Sequence, residues 1–353
     1  MLERQEDKRG ARVLGVLASV VVVVAGLKLA GSILSLFFLA LVLAILTLPV
    51  MMWLRRYGVP SPLAILISVL LVAAVVGGLL LLASQAFAEF QARYPAYEIR
   101  LLLLWEVWEA RLAEVELPLV GNVFAALTDL FSFEAALDFA TGTIQRVLAL
   151  VTDTFLVLLI MVFILAEAAV FPRKLRMALG DVGSDSIRLT NIVREVQTYL
   201  TIKTLVSLAT GITIGLFAAA IGLDFPVLLG LIGFVLNYIP TIGSVIASVP
   251  AVLLALIQFG LGSALGVGVV YLGINTVFGN IIEPNLMGRR LGLSTLVVVL
   301  SLIFWGWVWG PLGMFLSIPL TMILKILLEN TPDLRWMAVL LGKGLGDSLA
   351  REE

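Results

Sequence analysis

Residues 226–257 read PVLLGLIGFVLNYIPTIGSVIASVPAVLLALI, an apolar run without a single charge. A helix rises about 1.5 Å per residue and needs about 20 residues to cross a bilayer core of about 30 Å, so this run is too long for one ordinary span and too short for two. Its middle holds Pro240-Thr241-Ile242-Gly243-Ser244. Proline removes a backbone donor and glycine tolerates a tight reversal, so the run is expected to break there into two helical arms joined by a tip. Such irregular backbone survives at membrane depth only where protein or water, not lipid, meets its freed polar groups. Residues 292–328 repeat the pattern less sharply, with Trp309-Gly310-Pro311-Leu312-Gly313 as the breaker.

The rest of the chain fits the same environment. Mean hydropathy is +1.11, 61% of residues are hydrophobic and only 13% are charged, which defines an all-α polytopic membrane protein. Full spans are expected near 13–29, 33–54, 62–84, 147–171, 203–223 and 262–283. The first follows Arg4, Lys8, Arg9 and Arg12 but runs almost directly into the second, so it reads as a retained helix, not a cleaved signal. A formal net charge of −1 offers no basic excess for nucleic acid. With no histidine and no cysteine, imidazole acid–base chemistry, thiol nucleophiles, disulfides and thiolate metal sites are excluded. No Gly-Lys-Ser/Thr phosphate loop and no adjacent intramembrane aspartates occur, so neither direct ATP drive nor an aspartyl protease is supported. No cofactor, no metal and no enzyme activity are expected.

Charge placement sets the orientation. Sixteen Lys and Arg fall on the side of the N-terminus and five on the other, so both termini are expected in the cytoplasm. The hairpin at 226–257 then starts from outside and that at 292–328 from inside. Thus 203–257 and 262–328 each read as a span followed by a broken hairpin, begun from opposite faces: six full spans and two oppositely oriented, re-entrant hairpins in an inverted repeat. Charge parity would be unchanged if each hairpin were two full spans. The remaining divisions are N-terminal scaffold helices at 1–84, an outer-face amphipathic segment at 85–145, a fourth span with a cytoplasmic amphipathic helix at 146–202, a transport core at 203–328 and a cytoplasmic helix at 329–353. In 85–145, Leu101, Trp105, Trp108, Leu112 and Val115 recur at helical spacing and suit an interfacial cap, with gating or subunit contact as other readings.

Asn237-Tyr238-Ile239-Pro240 with Gly243-Ser244, Gly279-Asn280-Ile281-Ile282-Glu283-Pro284-Asn285-Leu286-Met287-Gly288, Leu291-Gly292-Leu293-Ser294, and Phe304 to Gly310 through Pro319-Leu320-Thr321 form an ordered set. This set resembles the autoinducer-2 exporter family of bacterial membrane proteins. The match is sharpest over 199–328, and the span layout agrees along the whole chain. The resemblance implies a multi-span exporter or permease of the cytoplasmic (inner) membrane. It also implies a homo-oligomer, a pentamer being one form, in which a hairpin-bearing core moves against a scaffold. Its substrate would be a small furanone-derived signal, or else the activity would be sodium/proton exchange.

Thr276, Asn280 and Glu283 follow i, i+4, i+7 spacing and are expected on one helical face as a polar stripe along a pathway. Intramembrane polar groups of this kind mark ion or substrate routes unless they merely find partners. For Glu283 the structural alternative is a helix end capped by Pro284 and paired with Arg289 or Arg290. Asn237, just before the first tip, either contacts solute or satisfies backbone freed by Pro240. Pro240, Gly243, Ser244, Trp309, Gly310, Pro311 and Gly313 shape the tips, and backbone contact with solute is the functional alternative. Trp305, Trp307 and Trp309 read as core packing, and Lys203 and Lys325 as snorkelling side chains. The leading reading is a secondary transporter of a small polar solute in the lipid bilayer, coupled to a proton or to sodium. A cation/proton antiporter, with Glu283 or Glu167 as titratable group, is the second, and a passive pore or inert scaffold the third.

Overall fold

A computed structural model describes residues 15, 18–112, 153–168, 170, 174, 177, 183–287, 293–329 and 335–342. Among the described residues there is no strand. In chain order the helices are α1 (Ala18–Leu29), α2 (Gly31–Arg56), α3 (Ser61–Leu112), α4 (153–168), α5 (Gly183–Ala220), α6 (Pro226–Leu236), α7 (Ile242–Phe259), α8 (Leu261–Asn275), a π-helix at Thr276–Ile282, α9 (Glu283–Met287), α10 (Thr295–Glu329) and α11 (Arg335–Leu341). Among the described residues, six stretches are long and apolar enough to cross a membrane by length and composition: Gly31–Arg56, Ser61–Tyr97, Val193–Ala220, Ile242–Phe259, Leu261–Met287 and Thr295–Glu329, the last of which is folded back on itself at Gly310. The all-α polytopic class therefore holds.

Two boundaries differ from the hydropathy reading. The third span does not stop near 84 but continues as one 52-residue helix through Pro95 to Leu112, because polar residues at helix-compatible spacing end a hydropathy peak without ending a helix. Likewise the expected surface helix before the fifth span joins it in the single 38-residue α5. Residues 113–145, the remainder of the outer segment, lie outside the described part, as do Arg289 and Arg290. True helix ends carry recognisable chemistry. At the end of α2, Arg55 and Arg56 face the negative pole of the helix, and Gly58, with φ of 84°, donates to the Arg55 carbonyl while Val59 donates to that of Leu54.

The chain divides into two compact units, one of 1–66, 157–200 and 289–353, the other of 67–156 and 201–288. The 203–328 segment is thus distributed over both. Each unit contains one hairpin.

In the first unit, α10 reverses at Gly310, whose φ of 65° and ψ of −145° interrupt the helix. Trp305 Nε1 donates to Thr321 Oγ1 at 3.1 Å, across 16 residues that in a straight helix would lie about 24 Å apart. Residues 295–309 and 311–329 are therefore antiparallel arms. The tip rests on the junction of α1 and α2: Trp309 Nε1 donates to the Leu27 carbonyl in the last turn of α1 at 2.9 Å, Lys28 Nζ lies 3.9 Å from the centre of the Trp307 ring, and a Cβ on Gly31, the first residue of α2, would lie 3.0 Å from the Trp309 ring. That is the end of α2 opposite Arg55 and Arg56, and arms of about 22 to 28 Å reach most of the way across a hydrocarbon core. Trp305 and Trp309 are buried as expected, whereas Trp307 is largely exposed beneath its cation.

In the second unit, α6 and α7 form the other hairpin on α5. Gly211 and Gly215 of α5 face Gly230 of α6 so closely that a Cβ on Gly211 would lie 2.6 Å from the Gly230 carbonyl oxygen, and one on Gly230 2.9 Å from that of Gly211. Small residues four apart are what lets two helix backbones meet inside a membrane, where apolar side chains gain nothing by leaving lipid. With only 11 residues, α6 is about 16 Å long and descends along α5 to a tip at 237–241, where Thr241 has a φ of 60°.

Both tips use glycine for the same reason. A Cβ on Gly243 would overlap the carbonyl oxygen of Leu236, and one on Gly313 that of Trp305, so in each hairpin the second arm begins in contact with the backbone of the first. We expect Gly243→Ala and Gly313→Ala each to cost about 3 kcal/mol or more, through overpacking against backbone that cannot yield. Gly262→Ala, in open space on α8, should leave stability within about 0.5 kcal/mol. Unfolding of the three variants in one detergent, by heat or denaturant, checks this.

Candidate solute and coupling site

One face of α5 assembles the candidate site. Lys203, Ser207 and Thr210 stand at i, i+4 and i+7, with Thr204 beside them, so the polar side chains of one helical stripe point into the second unit. Thr210 bonds back to the carbonyl of Val206 at 2.8 Å. The other three reach outward, two to the first tip and one to the span that carries Glu283.

Ser207 Oγ accepts from Asn237 Nδ2 at 3.0 Å, and Thr204 Oγ1 accepts from Tyr238 Oη at 2.9 Å. Both partners belong to the first tip, which is thereby fastened to α5 about 13 to 16 residues, or about 20 to 24 Å, below the end of that helix at Ala220. Asn237 is buried, and its backbone N–H still bonds to the Gly233 carbonyl. Its side chain joins the tip to the neighbouring helix.

Lys203 makes the third connection. Its Nζ lies 2.8 Å from both carboxylate oxygens of Glu283, and the side chains are only 4% and 16% exposed. Lys203 is thus no snorkelling residue, and among the described residues Glu283 pairs with a lysine 80 positions away; Arg289 and Arg290, the partners expected from sequence, lie outside the described residues. Taking either charge out of water alone costs several kcal/mol, so each is tolerable in this setting because the other is present.

The π-helix explains how Glu283 comes to face α5. In an uninterrupted α-helix, Thr276, Asn280 and Glu283 would share one face. Each extra residue held in a wider turn rotates everything beyond it by about 100°. Accordingly Thr276 and Asn280 are exposed, Thr276 bonding back to the Leu272 carbonyl at 2.8 Å, while Glu283 turns toward Lys203. Gly279 helps accommodate the widened turn, since a Cβ there would lie 3.1 Å from Asn275 Oδ1. The single stripe read from spacing is split in two.

The remaining candidates lie at the two tips and in two further ion pairs. Pro240, Gly243 and Ser244 shape the first tip, Ser244 Oγ donating to the Thr241 carbonyl at 3.1 Å. Trp309, Gly310, Pro311 and Gly313 shape the second. Glu167 pairs with Lys174 at 2.9 Å with both side chains more than half exposed, a surface contact worth about 0–1 kcal/mol. Lys325 lies 3.4 Å from Glu329 one turn on. Sequence spacing missed Lys203, Thr204, Ser207 and Tyr238. The signal available was a lysine and hydroxyls at helical spacing in an otherwise apolar span.

Apolar helices, paired helical hairpins and a buried ion pair beside a hairpin tip are the build of an α-helical membrane transporter. The family model described as AI-2E family transporter matches residues 17–333, and the chain belongs to that family. It is 37% identical to the AI-2 transport protein TqsA of Escherichia coli over 94% of this chain and 96% of that protein. It is 36% identical to a Haemophilus influenzae relative over 92% and 94% of the two chains, and 35% identical to E. coli YhhT over 96% and 97%. These relatives are named as transport proteins, and the chain is a multi-pass membrane transporter.

Lys203→Met and Glu283→Gln should each destabilise the protein by about 3–5 kcal/mol, because each leaves one buried charge alone. The double variant should recover most of that loss. A denaturant-unfolding cycle of the four proteins in mixed micelles measures it, and simple additivity would show that the two side chains do not interact.

Proposed function

We propose that this chain is a secondary transporter that exports a small polar solute across the bacterial cytoplasmic membrane, with Glu283 as the coupling group. The observation that carries this reading is the buried Lys203–Glu283 pair on the same face of α5 that holds the first tip. Protonating Glu283 removes the attraction that holds Lys203. The span bearing Glu283 is then free to move against α5. The AI-2 named for TqsA is the candidate solute, and the exposed Thr276 and Asn280 offer a polar solute hydrogen bonds. In this reading a core of 203–328 moves against a homo-oligomeric scaffold built from 1–84, and both termini face the cytoplasm. Support for that division is compositional: broken helices and intramembrane polar groups concentrate in 203–328, while 13–84 is mostly Leu, Val and Ala.

The ion pair also favours a second reading. Lys203 is a tethered cation on a carboxylate, and an inorganic cation taking its place would make the protein a sodium/proton antiporter.

Reconstituted vesicles given a proton or a sodium gradient separate the two: solute accumulation is expected under the first, and gradient-driven sodium movement without solute under the second. Flux of neither would leave an inert scaffold. Glu283→Gln should abolish accumulation by at least about tenfold while leaving downhill exchange. Asn280→Ala should weaken solute binding without removing pH dependence.

The orientation has its own test, since the chain has no native cysteine. Gly222→Cys and Gly260→Cys are expected to label from outside, Gly288→Cys and Asn330→Cys from inside. Opposite-side labelling within either pair would overturn the hairpin topology.

A further inference from the structure

We propose that Arg93, Tyr97, Asp224 and Gln258 form a latch that closes the base of the first hairpin, and that its opening is a step of the transport cycle. The second half of this statement rests on the transport reading above. The first half does not.

Asp224 lies two residues before α6 and Gln258 one residue before the end of α7, so together they mark both ends of the hairpin. Their partners come from one helix. Arg93 Nη1 of α3 lies 2.9 Å from Asp224 Oδ1, and Tyr97, one turn further along, donates its hydroxyl to Asp224 Oδ2. Gln258 Nε2 donates to the same Oδ2 and approaches Tyr97 Oη at 2.5 Å, while Gln258 Oε1 accepts from the Asp224 backbone N–H at 3.3 Å. Every contact passes through Asp224 or Tyr97, and all but the one between Gln258 and Tyr97 pass through Asp224. Two arms of a hairpin are thus tied to each other and to α3 at one point.

Three features distinguish a releasable closure from a permanent core contact. First, Arg93 is 52% and Asp224 31% exposed, so water competes directly for the charged pair, and Glu89, 3.1 Å from Arg93, offers the guanidinium a second acceptor one turn away. Arg93 can leave Asp224 without losing a charged partner. Second, the hairpin is bracketed by left-handed backbone: Gly222 at φ of 72° and Phe225 at 60° precede it, and Gly260 at 86° follows it. Positions of this kind at element ends are where hinges absorb rotation. Third, Phe225 is a bulky residue in a conformation that favours glycine, which persists only when its surroundings impose it. Those surroundings are the aromatic rings of Phe90 and Tyr97, 5.4 and 5.8 Å from the Phe225 ring. Tyr97 is therefore both a latch residue and a wall of the strained site, so opening relieves the strain as it breaks the bonds.

The full chain in lipid vesicles tests both halves. Amide exchange across 221–226 and 257–261 should rise at least about tenfold in Asp224→Ala and return toward the parent value in Asp224→Glu, with exchange at 237–244 unaffected. Equal exchange in parent and Asp224→Ala would overturn the latch whether or not the protein transports. For the cycle, Tyr97→Cys with Gln258→Cys, bridged by a short reducible bifunctional thiol reagent, should lose at least about tenfold of its solute flux, retain solute binding, and recover on reduction. Bridged protein that transports at the rate of the reduced protein would show the latch to be static. Absence of flux in the parent would refute the transport reading instead, leaving the exchange result to decide the latch.

Discussion

A lysine and a glutamate, each of which lipid would reject, hold each other in place inside the second unit. This mutual dependence constrains much around it. Lys203 must come within hydrogen-bonding reach of a carboxylate at the far end of the span Leu261–Met287, and the π-helix supplies the rotation that an α-helix would not. Because Lys203 shares its face of α5 with Ser207 and neighbours Thr204, the same stripe that meets Glu283 receives the first tip. The glycine contacts between α5 and α6 let that tip descend close enough to be received. Ion pair, widened turn and glycine contact therefore form one arrangement, in which each makes the next possible.

The two hairpins solve a common problem with different partners. Reversing a helix within apolar surroundings frees backbone groups, and both tips compensate by contact between arms so tight that only glycine fits at 243 and 313. The first is then anchored by side-chain hydrogen bonds to α5, the second by an indole donating to a backbone carbonyl just before α2. Amide and hydroxyl partners exchange readily for those of a polar solute. The indole of Trp309, buried with Phe38 and Trp305 around it, has no such alternative.

What was legible in the sequence was the chemistry that acts locally. Pro240, Gly243, Gly310 and Gly313 announced the tips, because a missing donor or a missing Cβ changes the backbone where it occurs. The ion pair was hidden, since its members stand 80 residues apart and nothing in either neighbourhood specifies the other. Spacing also misplaced Glu283 relative to Thr276, because a count of residues assumes a regular helix and the π-helix is not one. The continuation of α3 past 84 was hidden by its polar residues, which end a hydropathy peak although helical backbone accommodates them.

On the coupling proposal, Glu283 holds Lys203 at rest and releases it on taking up a proton when the transporter turns over. Infrared difference spectroscopy of the reconstituted protein, recorded as solute and a proton gradient are applied, reads this directly. Loss of a carboxylate band and gain of a protonated carboxyl band are expected, both absent in Glu283→Gln. A spectrum in which that carboxylate is unchanged through active transport would contradict the proposal.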